Sequence, residues 1–176
     1  IKILNYNYEV VTMKDEKYIE NSIETVVSKI LIKNKLTISI AESCTGGAVS
    51  ARLTDIPGTS AYQTGSVVSY SNKVKAEFVG VPETILREKG AVSVETARAM
   101  AEGIRQRFGV DIGVGVTGSA GPGGGTEEKP VGLVYIAVAG PNGTVAEEER
   151  FTGQRSGIRT RTVNATLDLV RRYLQK

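Results

Sequence analysis

The sequence predicts an α/β fold, a three-layer α/β/α sandwich around a mixed, mostly parallel sheet of about five to six strands. Three observations lead there. Short isoleucine- and valine-rich runs alternate with segments of helical period, one such run passes through a tight glycine turn directly into a helix, and a hairpin signal comes late, at Gly140-Pro141-Asn142-Gly143. Helices between strands force parallel crossovers, and the late hairpin adds one antiparallel strand. At 176 residues with 40% apolar content, the chain has the length of one domain and can bury a core without disulfides or metals.

Taken in order, Ile19, Ile23, Val26, Val27, Ile30 and Leu31 recur at three- and four-residue spacing, which predicts an amphipathic helix from about Glu16 to Lys33. The preceding stretch, Ile1 to Met13, has neither a clear period nor an initiator methionine. Residues 1–15 are therefore read as the remnant of an upstream domain or interdomain linker, and 16–176 as the folded domain. Leu36 to Ala41 reads as a buried strand. Glu42-Ser43-Cys44-Thr45-Gly46-Gly47 turns the chain into a helix that reaches about Leu53 and stops near Asp55-Ile56-Pro57-Gly58. Ser66 to Ser71 is a second strand, after which Asn72 is placed as the cap of a short helix carrying Lys73, Lys75 and Phe78. One or two further turns follow from Pro82 to Glu88. Ser93 caps a stronger helix, Val94 to Phe108, with Glu95 in its first turn and Gly109 as its stop. Val110 to Val116 is buried strand material, and the glycine- and proline-rich stretch Thr117 to Pro130 is a loop. Val131 to Ala139 and Val145 to Phe151 form the hairpin. A helix from about Ser156 to Leu174, arginine-rich at its start, completes the order, and no internal repeat is visible.

Composition removes several classes of function. The one cysteine, Cys44, rules out a disulfide framework and any multi-thiolate zinc or iron–sulfur site, and fits a reducing compartment. No run of about 18 apolar residues and no signal peptide is present, so neither a membrane span nor secretion is indicated and a cytoplasmic placement is expected. The Asn-x-Thr matches at Asn142 and Asn164 are then accidental. The pI is about 9.0. Yet the net charge is only +3, from 22 basic and 19 acidic residues dispersed along the chain, so no specific nucleic-acid surface is indicated. The absence of histidine excludes Ser-His-Asp and Cys-His catalysis and the two-histidine zinc helix. Hydrolytic chemistry here needs another base, and neither a metal nor a cofactor is expected.

Two strand-to-helix junctions could supply that chemistry. Ser43 stands at the carboxyl end of a predicted parallel strand, where open α/β sheets place ligands, beside glycines that allow close approach. It reads either as a nucleophile or as a plain N-cap, with Cys44 as the rival nucleophile or a small buried side chain. At Tyr70-Ser71-Asn72-Lys73-Val74-Lys75, a desolvated Lys75 and the Tyr70 phenol could replace the missing histidine; the ordinary reading is a surface lysine and a core tyrosine. The string Gly113-x-Gly115-x-x-Gly118 matches a dinucleotide fingerprint, but it lies within a strand rather than in a turn, so no dinucleotide site is expected.

Ala41-Glu42-Ser43-Cys44-Thr45-Gly46-Gly47, Tyr70-Ser71-Asn72 with Lys75, Gly90-Ala91-Val92-Ser93, Thr117-Gly118 with Ala120-Gly121-Pro122 and Gly124-Gly125, and Lys129-Pro130-Val131-Gly132 together resemble the CinA C-terminal family, over about residues 20 to 175. The resemblance implies a nicotinamide mononucleotide deamidase, which hydrolyses the carboxamide to the acid with release of ammonia and without a metal. It makes Ser43 the nucleophile and Tyr70 and Lys75 its activators. The leader before Glu16 likewise resembles the segment that joins this domain to an upstream molybdopterin-binding-like domain.

An amide resists a neutral hydroxyl, so such a site must deprotonate Ser43, hold an oxyanion and protonate ammonia. Backbone N–H groups near Thr45 and Gly46 are expected to hold the oxyanion. Arg155 and Arg159, four apart, are expected to receive the substrate's phosphate, or else to form a solvated pair. Gly118 to Gly125 admits the nucleotide, covers it, or merely connects. A homo-oligomer, dimer or larger, is expected. The alternative function is a non-catalytic nucleotide-binding or protein-interaction module linked to competence.

Overall fold

The computed structural model describes residues 22–176. The expected leader, and the part of the first helix between Glu16 and Asn21 with Ile19, lie outside the described residues. Helix α1, Ile23–Asn34, starts where the Ser22 side chain accepts the Thr25 N–H, and stops at Lys35, whose left-handed φ of 54° turns its own N–H back onto the Ile32 carbonyl. Strand β1, Ile38–Glu42, is buried along its whole length. After the Ser43 turn come α2, Ala48–Thr54, and β2, Gln63–Val68. A single helical turn, α3, Asn72–Val74, widens at once into a π-helical turn, Lys75–Val79. There follow α4, Glu83–Glu88; α5, Val94–Phe108; β3, Ile112–Gly118; β4, Leu133–Gly140; β5, Gly143–Arg150; and α6, Arg155–Leu174.

The five strands stand in the order β2-β1-β3-β4-β5. β1 pairs in parallel with both β2 and β3, whereas β4 runs antiparallel to β3 and to β5. One strand thus opposes four, as the late hairpin predicted. Pro141 and Asn142 form its two-residue tip between the paired Gly140 and Gly143.

Alternation along the strands sorts the core into two faces. Ile38 and Ile40 of β1, Val114 and Val116 of β3, and Ile136 and Val138 of β4 pack against Val27, Leu31, Leu53, Ile158, Leu167 and Val170 of α1, α2 and α6. Each such fully buried aliphatic side chain contributes about 1.5–3 kcal/mol of transfer free energy. The opposite face is made of small residues: Ala137 and Ala139 meet Ala97 and Ala101 of α5. Here Gly113 and Gly115 find their purpose. A Cβ on Gly113 would lie 2.1 Å from the Ala101 carbonyl oxygen, and one on Gly115 2.3 Å from that of Ala97. The string that mimics a dinucleotide fingerprint is the smooth bed on which α5 lies.

The strand boundaries differ from the sequence reading by one to three residues, and two of the differences have a plain local cause. β2 ends at Val68 rather than Ser71, because Ser71 has become a helix cap whose Oγ accepts the Val74 N–H. β3 begins at Ile112 rather than Val110, because the Asp111 carboxylate is taken by the Thr37 N–H and hydroxyl, both at 2.8 Å.

Candidate active site

The carboxyl ends of β1, β2 and β3 point to one edge of the sandwich, and the turns that leave them meet there. Ser43 follows β1 directly, its N–H still donating to the Val116 carbonyl of β3 at 2.9 Å. It does not cap α2. The N-cap is Gly47, and the Ser43 hydroxyl instead receives Lys75 Nζ at 3.0 Å. Lys75 is 1% exposed, and its Nζ also donates to the Ser69 carbonyl at 2.6 Å. The π-helical turn aims the ammonium inward, and Ser69 is fixed in turn by its N–H on the Glu42 carbonyl at 2.7 Å.

Lys75 therefore has a hydroxyl and a carbonyl as hydrogen-bond acceptors and no carboxylate. Burial pushes its pKa down from 10.5 to about 8. Cys44, next to the serine, is buried too, and desolvation drives its thiol up to about 11, out of the range of a nucleophilic thiolate. Of the two side chains the sequence left as rivals, it is Ser43 that receives the Lys75 hydrogen bond.

Tyr70 stands apart from this pair. It is 61% exposed, and its hydroxyl accepts Arg155 Nη2 at 3.0 Å; among the described residues it is hydrogen-bonded to neither Ser43 nor Lys75. Arg155 opens α6 and reaches across the same edge, its Nη1 donating to the Gly121 carbonyl at 2.7 Å in the glycine-rich loop. One turn on, Arg159 Nη2 donates to the Thr45 carbonyl at 2.6 Å. The two arginines are thus not a solvated pair. They tie α6 to the Ser43 turn, to Tyr70 and to the loop after β3, and each keeps further N–H donors. Arg159 also walls a cleft of about 250 Å³ between α2 and α6, with Ala48, Arg52, Ser156, Thr160 and Val163. A larger cavity, about 330 Å³ between the Lys75 helix and α4, has neither Ser43 nor Lys75 in its wall.

Within the Ser43 turn, the Gly46 N–H donates to the Ser43 carbonyl at 3.1 Å and the Ala48 N–H to that of Thr45. The Gly46 amide, expected as an oxyanion donor, is thereby engaged, and those of Cys44 and Thr45 remain outside the turn's own pattern. Gly118, expected at the substrate, ends β3, and a Cβ there would come within 2.7 Å of the Leu133 carbonyl. Its lack of a side chain is accounted for by the close pass of β4.

Glu42 was read only as part of the motif. It is wholly buried, and its carboxyl oxygens accept the N–H groups of Gly47, Val49 and Ser50 and the Ser50 hydroxyl at 2.8–3.1 Å. The signal that could have found it is a helix that opens on Gly46-Gly47 with no capping side chain of its own. Among the described residues, no three His, Cys, Asp or Glu side chains gather as metal ligands, and no helix is long and apolar enough to cross a membrane.

Comparison with known proteins places this edge in context. Residues 20–174 match the family model of the CinA C-terminal domain. A competence-damage inducible protein of Acetivibrio thermocellus is 53% identical over 157 residues, covering 89% of this chain and 38% of the relative. A CinA-like protein of Desulfotalea psychrophila is 47% identical with the same coverage. The chain thus spans well under half the length of these curated relatives. Among solved structures, the competence/damage inducible protein CihA of Agrobacterium tumefaciens superposes with a TM-score of 0.82 at 40% identity, over 88% of this chain and 96% of that one. A competence damage-inducible protein A from Klebsiella pneumoniae gives 0.84 at 30% identity, over 87% and 95%.

Proposed function

This chain belongs to the CinA C-terminal domain family, and from that premise we propose that it is an amidohydrolase converting nicotinamide mononucleotide to nicotinic acid mononucleotide and ammonia, with Ser43 as nucleophile. The observation that carries the reading is the 3.0 Å hydrogen bond between Ser43 Oγ and a buried, carboxylate-free Lys75. A lysine whose pKa lies near 8 is neutral in a useful fraction of molecules near physiological pH, and as a free amine it can take the serine proton.

In the reading, Ser43 Oγ attacks the carboxamide carbon as its proton passes to Lys75 Nζ. The resulting oxyanion is held by the N–H groups of Cys44 and Thr45. Lys75 returns the proton to the leaving nitrogen, the C–N bond breaks, and ammonia departs, leaving the nicotinoyl ester of Ser43. Water, deprotonated by the same amine, then cleaves the ester. Tyr70, held by Arg155 rather than by Ser43 or Lys75, stands with the substrate-binding arginines at this edge. The spare donors of Arg155 and Arg159 receive the phosphate, with the cleft beside Arg159 as its lodging.

The test is ammonia release from nicotinamide mononucleotide by purified protein in excess chelator. Activity in the wild type and none in folded Ser43→Ala is expected. Equal activity in both, or a requirement for added zinc or magnesium, overturns the reading.

A further inference from the structure

The amide groups at the start of a helix need acceptors, and α2 opens on two glycines that offer none. Gly46 and Gly47 both take left-handed backbone, with φ of 62° and 93°. A turn of this shape has little local reason to persist. Its four leading amides are nevertheless all engaged: Ala48 bonds to the Thr45 carbonyl, and Gly47, Val49 and Ser50 bond to the one carboxyl group of Glu42. The Ser50 hydroxyl adds a fourth donor to that carboxyl at 2.8 Å. Glu42 immediately precedes Ser43, so its side chain closes a ring around the nucleophile's own turn. Its main-chain carbonyl meanwhile holds the N–H of Ser69, whose carbonyl holds Lys75.

We infer that Glu42 is the positioning residue of this site: its carboxylate clasps the Ser43 turn onto α2, so that the hydroxyl stands where Lys75 and the turn's amides can act on it. The inference rests on the reading of Ser43 as nucleophile. It also fixes what the helix start cannot do. With those amides filled from within the chain, the amino end of α2 is closed to a substrate anion.

Glutamine separates this role from simple space filling. Glu42→Gln keeps the shape, but it turns an NH₂ group toward amides or a hydroxyl that also donate. The measurements are the rate constant and the final amplitude with which a fluorophosphonate labels Ser43, followed by intact mass, together with kcat and KM for nicotinamide mononucleotide. The labelling rate constant and kcat should fall about 100-fold while KM changes less than about three-fold, since displacement of a reacting group by about 1 Å has that scale of effect. The amplitude should remain complete. Loss of amplitude at an unchanged rate constant would mean partial misfolding and would overturn the inference. Ser50→Ala deletes one donor and leaves the backbone amides in place; it should slow labelling about three-fold, and it decides the matter if the glutamine variant does not fold. Wild-type rate constants in Ser50→Ala and in folded Glu42→Gln would refute positioning by Glu42. If the wild type itself labels elsewhere than Ser43, the reading of the nucleophile has failed instead.

Discussion

Two buried or half-buried cations at opposite ends of the sheet are treated in opposite ways. Arg172, near the end of α6, lies against β5 with Nη1 and Nη2 on the two oxygens of Glu147, at 2.7 and 2.6 Å, and Nε on Asp168 at 2.9 Å. Those carboxylates hold its pKa above the ordinary arginine range. Lys75 is more deeply buried and has only a hydroxyl and a carbonyl as acceptors, so its pKa falls. The fold gives Arg172 two carboxylates and Lys75 none. This second arrangement is unfavourable to stability, which is why it points to function.

The sharpest way to break the comparison is to remove the reacting pair. Ser43→Ala and Lys75→Met should each lower ammonia release by about 10³-fold or more, whereas Cys44→Ala should retain activity. Lys75→Met should also raise the melting temperature by about 2–6 °C at pH 7 by calorimetry. The sign follows from linkage: a lysine at about 8 when folded and 10.5 when unfolded costs nothing above 10.5, and its penalty is fully present below about 8. A mutant that is inactive and less stable would contradict an unpaired, desolvated amine. The pH profile sharpens the same point. If the neutral amine is the active form, kcat/KM should climb with pH through about 8 and level off above it. A bell centred below pH 6 would point to a carboxyl base.

Smaller effects are expected at the arginines. Arg155→Ala and Arg159→Ala should raise KM for the mononucleotide about ten-fold, with much less change for the unphosphorylated riboside, as the loss of one charge-assisted hydrogen bond allows. Equal losses on both substrates would move the phosphate elsewhere. The smallest effect belongs to the far end: Glu147→Gln should leave kcat/KM within about two-fold and cost less than about 1 kcal/mol in denaturant unfolding, because the pair with Arg172 is partly exposed. A large loss of activity there would show that the two ends are not independent.

Much of this was legible before any coordinates. Period and turn chemistry gave the layers and the lone opposing strand, because each depends on local pattern, whereas joining the Ser43 and Lys75 junctions took the family resemblance. The role of Glu42 was not: its partners are mostly backbone amides five to eight residues on, and the uncapped start of α2 at Gly46-Gly47 was its one mark in the sequence. Nor was the π-helical turn. A helix carrying Lys73, Lys75 and Phe78 was expected, but not that its π-helical turn would lie against α5, where Gly103 lets the Val79 carbonyl in so close that a Cβ would lie 2.0 Å from it. Tyr70 looked like a partner of Lys75 from its spacing; its hydroxyl turned to Arg155, which is 85 residues away and invisible to any window.

The bond from Arg159 to Thr45 joins residues 114 positions apart. A ribosome therefore releases the Ser43 turn long before the residue that braces it, and β1, β2 and β3 can pair while α6 is still being made. Until α6 docks, the nascent domain carries its serine and lysine without the arginines that gather the surrounding loops. The bond from Arg159 to Thr45 is thus among the last to close, after every strand of the sheet has been made.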